Sequence, residues 1–172
     1  RWQIAAGLRW DQIHIDYDAV TLATGERTDL KKNEGMLSWR AGTVFKPREN
    51  GSIYAAIATS FDPSVEAGGA GAGFSTAPNA TNNPNLDPEK SRNLELGTKW
   101  DLGGERLSLT GAIFRTEKTN ARTRTAANAP FVLEGEQRVE GEEVSASGRI
   151  ATRLTGFAGY SFMQSEIASS VN

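Results

Sequence analysis

The chain has 172 residues, no cysteine, 18 glycines and 19 basic against 21 acidic residues, for a formal net charge of −2. That length allows one domain at most, and the absence of Cys excludes disulfides, thiolate metal sites and a cysteine nucleophile. The charge balance, with no dense Lys/Arg cluster, argues against a nucleic-acid partner. No apolar run of about 18 residues is present, which excludes a spanning helix but not spanning strands, whose alternating signal averages to a polar composition.

Residues 1 to 11 alternate, with Trp2, Ile4, Ala6, Leu8 and Trp10 opposed to Arg1, Gln3, Arg9 and Asp11, which predicts a strand. The phase then slips: Ile13, Ile15 and Tyr17 are odd and Gln12, His14, Asp16 and Asp18 even. Such a slip signals a bulge, or a strand passing from one environment into another. A second strand carries Leu37, Trp39, Ala41, Thr43 and Phe45, and a third carries Ile53, Ala55 and Ile57 and runs to Phe61. In the fourth, Leu94, Leu96, Thr98 and Trp100 oppose Asn93, Glu95, Lys99 and Asp101. The fifth holds Leu107, Leu109, Gly111 and Ile113; the sixth holds Val144, Ala146, Gly148 and Ile150. A seventh spans about 153 to 165, and no helix is expected.

The connections alternate in length. Residues 46–51, 101–105 and 151–152 are tight turns, whereas 18–33, 62–88 and 118–130 are read as long loops. The middle loop holds four of the six prolines, four glycines and four asparagines, too polar to pack a core. In an antiparallel meander all short turns fall at one end and all long loops at the other, the arrangement of outer-membrane barrels. The stripe from Trp2 to Trp10 is roughly 26 Å long, and a tilt of about 40° brings it near the hydrocarbon height. Trp2, Phe45 and Trp100 gather near the turn end like an interfacial girdle. Arg9, Arg40, Glu95, Lys99, Glu143 and Arg149 occupy the other face, and each Arg or Lys there would cost about 2–4 kcal/mol against lipid at mid-depth. The inverted polarity, a soluble barrel or sandwich around a small apolar ligand, requires Trp2, Leu8, Trp39, Leu96 and Trp100 inside.

Particular strings resemble the barrel of TonB-dependent siderophore receptors. The most specific is 86–100, LDPEKSRNLELGTKW, where Pro88 closes a loop and alternation starts at Asn93. Tyr54-Ala55 with Ala58-Thr59-Ser60-Phe61-Asp62-Pro63, then 114–120 (FRTEKTN), 138–143 (RVEGEE) and Gly159-Tyr160-Ser161-Phe162, follow the same pattern in order. Two positions depart from it. Trp39 stands where the family often has Pro. Glu142 stands where an apolar residue is usual, which places it near the interface or calls for a bulge at Gly141 that turns it inward.

The resemblance implies an all-β antiparallel up-and-down meander of about seven strands, part of a 22-stranded barrel in the outer membrane of a Gram-negative bacterium. Residues 1–172 are then an internal piece of that barrel, without plug, signal peptide or closing strands. It also implies import of a ferric siderophore, energised by the TonB complex through the plug, with lipid and lipopolysaccharide around the barrel and no resident cofactor. A passive channel or structural barrel is the rival within the membrane.

His14 is the only histidine and reads as a solvated strand residue. The run Gly68-Gly69-Ala70-Gly71-Ala72-Gly73 lacks the spacing and following helix of a phosphate loop. Asn79-Ala80-Thr81 matches a glycosylation sequon by chance in a bacterial reading. Glu134, Glu136, Glu140, Glu142 and Glu143 form an acidic run without calcium-loop spacing, read as a wet rim or wall. No catalytic constellation is present, so no enzyme is expected. Candidate ligand contacts are Arg122 and Arg124, two apart in a loop and suited to catecholate or carboxylate oxygens, with Phe74 and Phe131. The competing reading for the arginines is contact with acidic neighbours or lipopolysaccharide phosphates.

Overall fold

The computed structural model describes residues 1–20, 22–25, 27–63, 87–104, 106–123 and 132–169. These form one seven-stranded antiparallel sheet in sequence order: β1 (Trp2–Val20), β2 (Arg27–Arg48), β3 (Gly51–Asp62), β4 (Glu89–Leu102), β5 (Leu107–Thr123), β6 (Val132–Ala151) and β7 (Leu154–Ser169). The expected meander is observed, and the three tight turns fall at one end. Gly103 and Gly104, at φ +62° and +67°, make the β4–β5 turn, a conformation costly for any side chain with a Cβ. Register shifts between Phe45 and Arg48, where Pro47 has no N–H to donate to the ladder.

The strands are longer at the other end than the sequence suggests. Residues 18–33, expected as a loop, are mostly strand: the β1–β2 ladder continues from Trp2↔Phe45 to Val20↔Arg27. The phase slip near Asp11 is no bulge, because that ladder is unbroken. The strand keeps its register while its surroundings change, so the apolar residues change face. Residues 118–130 are likewise partly strand, since β5 runs to Thr123 and β6 begins at Val132. Bulges between Lys118 and Ala121 and between Ala121 and Thr123, with Asn120 at φ 56°, interrupt the alternation there and hide the strand from a period-two reading. The Asn120 side chain donates to the Pro88 carbonyl at 3.3 Å, anchoring this bulge to the start of β4. Of loop 62–88, residues 64–86 lie outside the described residues.

The sheet has almost no apolar core. Among the described residues, the buried hydrophobic ones are Met36, Ala112 and Ala121, whereas Ile4 is 84% exposed and Leu8 79%. A single sheet layer cannot cover its own apolar face, so hydrophobic stabilisation of these strands has to come from outside the sheet.

Candidate functional site

The ladders assign the paired strand residues to one of two faces. On the first, Trp2, Phe45, Ile53, Thr98, Gly111, Val144 and Tyr160 form a single row of directly opposed residues across the sheet. In β1 and β2 this row is the lowest level of the apolar band, which extends up to Trp10 and Leu37. In β6 it is the highest, because Glu142 follows Val144 and the band extends down to Ile150. The band therefore slides by roughly 1.5 residues per strand. At about 3.3 Å per residue against about 4.8 Å between strands, this corresponds to a tilt of about 45°, as in membrane barrels. Corrected for tilt, its height is roughly 20 Å, close to the roughly 25 Å of such barrels. Trp2, Leu8, Trp39 and Leu96, which a soluble ligand-binding barrel would hold inside, are all exposed on this band.

Aromatic residues mark its lower edge. The Trp2 and Phe45 rings lie 4.6 Å apart at 32°, and Trp100 covers Gly51 so closely that an added Cβ would stand 2.3 Å from the indole. The Trp100 indole N–H donates to Thr98 Oγ1 at 2.7 Å.

Charge begins abruptly above the upper edge on β4–β7. Past Ile113 and outside the band, Glu117 accepts from Arg92 at 2.5 Å and from Arg115, with Arg138 Nε at 3.7 Å. Arg115 and Arg138 continue the network to Glu140 and Glu166. The hydrogen bond from Arg92 is the main cause that holds the Glu117 carboxyl below its ordinary value; burial opposes this, and Arg115 adds to it. Glu142 pairs with Ile113 and Phe162, and both ladders run unbroken through Gly141. No bulge turns it inward; it stands on the apolar face at the upper boundary. The acidic run is thus divided by the pleat, Glu140 and Glu142 on this face and Glu143 on the other.

The second face carries most of the polar groups over the height of the band, with Val44, Phe114 and, on β7, the 91% exposed Phe157 among them. Tyr54 donates to Glu95 at 2.6 Å while its ring covers Gly97, Thr116 donates to Asn93 at 2.8 Å, and Arg9 pairs with Asp11 at 2.7 Å. Higher up the same face becomes apolar, with Ile13, Ile15, Tyr17, Leu30 and Met36 beside the Lys32–Glu34 pair at 2.5 Å. The phase slip at Asp11 is the sequence signal of this strip, but assigning the strip requires knowing that the register holds.

Arg122 lies in β5 rather than in a loop, whereas Arg124, Phe74 and Phe131 fall outside the described residues. His14 is exposed on the same face as Trp10, opposite Asn33. Among the described residues no group of three or more His, Asp or Glu is placed to hold a metal ion.

The family model described as "TonB dependent receptor-like, beta-barrel" matches residues 1–172. The chain is 38% identical over 167 residues to the probable TonB-dependent siderophore receptor PiuA of Acinetobacter baumannii, covering 97% of this chain and 22% of that protein. It is 28% identical over 188 residues to the catecholate siderophore receptor Fiu of Escherichia coli K12, covering 96% and 24%. The crystal structure of Acinetobacter baumannii PiuA superimposes with a TM-score of 0.79 at 37% identity, over 96% of this chain and 23% of that one. The chain thus spans less than a quarter of the length of these relatives.

Proposed function

Because this chain belongs to the TonB-dependent receptor-like β-barrel family, we propose that its seven strands are one arc of a 22-stranded barrel in the outer membrane of a Gram-negative bacterium. The whole receptor imports a ferric siderophore, using energy that TonB delivers to a plug domain. On this reading the protein is a transport receptor and not an enzyme, and the iron chelate is cargo rather than cofactor.

The observation that carries the reading is the slanted apolar band opposed to a polar face, in a chain that matches the family over its full length. Lipid tails meet the band. Lipopolysaccharide meets the charged network on β4–β7 at headgroup level. The polar face looks into the lumen, and its upper part, with Ile13, Ile15 and Tyr17, belongs to the entrance. Arg122 and Arg124 supply guanidinium groups to the chelate's anionic oxygens, and Phe74 and Phe131 meet its aromatic rings.

The test is growth of an iron-limited host expressing the full-length receptor on defined ferric chelates, with and without TonB. The expected result is growth on a catecholate-type chelate that disappears when either protein is deleted. Uptake that persists without TonB indicates a passive channel and overturns the reading.

A further inference from the structure

The sequence around the β4–β5 and β6–β7 turns, 103–106 and 149–153, holds three arginines against one acid, Glu105, which lies outside the described residues; Arg106 and Arg153 belong to the turns, whereas Arg149 stands on the polar face opposite Thr155. The Arg149 N–H donates to the Arg106 carbonyl at 2.8 Å, so the two turns are bound side by side. Arg106, Arg149 and Arg153 are exposed, and none of them forms an ion pair among the described residues. Beside these turns the apolar face presents Leu102, Leu107, Ile150 and Leu154, with Ile150 72% exposed. Guanidinium groups beneath an open aliphatic surface match a lipid whose phosphate carries no compensating amine. The planar fork binds phosphate oxygens in pairs, and the acyl chains lie along the leucine and isoleucine side chains.

We propose that this turn end is a binding site for an anionic phospholipid of the leaflet opposite the long loops, with phosphatidylglycerol as the representative headgroup. Arg106 and Arg153 hold the phosphate, and Ile150 and Leu154 take the upper part of the chains. This rests on the outer-membrane reading above and adds a lipid to it. The other charged region of the same face does not offer this chemistry, because Arg92, Arg115 and Arg138 are already engaged by Glu117, Glu140 and Glu166.

The test uses the full-length receptor, folded and purified in detergent, with heat-modifiable migration as proof of a closed barrel. Native mass spectrometry then follows titration with phosphatidylglycerol, phosphatidylethanolamine or lipid A. An arginine near anionic lipid contributes about 1 kcal/mol, so phosphatidylglycerol should be retained at least about fivefold better than phosphatidylethanolamine. The double variant Arg106→Gln, Arg153→Gln should lose about that preference while Arg27→Gln, Lys31→Gln at the loop end retains it. Equal retention of the two phospholipids overturns the proposal, as does a double variant that binds phosphatidylglycerol like the parent or loses lipid A alone. A receptor that never becomes heat-modifiable overturns the membrane reading itself, a result distinct from any of these.

Discussion

The loop end and the turn end of this sheet solve the same problem, an apolar band meeting polar surroundings, in different ways. At the loop end the charges are many and paired: Arg27 with Asp18, Lys31 with Asp16, Lys118 with Glu89 and the Glu117 network all lie above the band. At the turn end the boundary is aromatic, with Trp2 against Phe45 and Trp100 over Gly51, and the basic residues beyond it have no ion-pair partners among the described residues. One end is held by cross-strand electrostatics and the other by rings and tight hairpins. Substitutions should therefore act according to their height along the strand more than according to residue type.

The largest effect is expected at mid-height. Leu96, between Ala55 and Ile113 on the apolar face, sits near the centre of the band. Leu96→Arg should cost about 2–4 kcal/mol in the full-length barrel folded into liposomes, read by urea titration, while Glu142→Arg at the boundary should cost at most about 1 kcal/mol. Equal costs at the two heights would remove the lipid boundary from the account. Next comes the hub of the loop end. Glu117→Gln leaves Arg92, Arg115 and Arg138 without their shared carboxylate and should cost about 1–2 kcal/mol, less at high salt because the arginines are partly exposed. The pH dependence has a definite sign. The folded pKa of Glu117 is depressed below its ordinary 4.5, so its contribution is fully present above about 4.5 and fades as pH falls through the lower folded value. The Gln variant should lack that acid limb, which stability measured between about pH 6 and pH 3 will show.

How well the sequence could be read follows the same division. Between Trp2 and Trp10, or Asn93 and Trp100, strict alternation reflects an apolar face opposed to a polar one, and each strand is legible with its face. Above the band the polarity of the faces inverts, so Ile13, Ile15 and Tyr17 lie on the second face while Asp16 and Asp18 lie on the first. Alternation survives with its meaning reversed, and residues 18–33 resembled a loop. At Asn120 a bulge removed even the alternation. Arg122 therefore reads as a loop residue although it lies in β5. Glu142 had two readings because a bulge is a property of the neighbouring ladders, which only the pairing with Ile113 and Phe162 decides.

The smaller effects belong to the turn end and separate its two components. Trp2→Leu keeps an apolar group at the boundary but removes the ring that stacks on Phe45, and should cost about 0.5–1.5 kcal/mol in the same titration. Arg153→Gln should leave stability within about 0.5 kcal/mol, because an exposed guanidinium without a carboxylate partner contributes little to folding. That near-zero value is informative only beside Arg138→Gln, which breaks an ion pair to Glu166 at 2.8 Å and a contact to Glu117 at the other end and should cost measurably more. Both positions are arginines on the last hairpin of the described chain. If they prove equally costly, the turn-end cations are held by contacts within the barrel and are not available to a lipid. If only Arg138 matters to folding, the charge on Arg153 is free to serve a partner outside the chain.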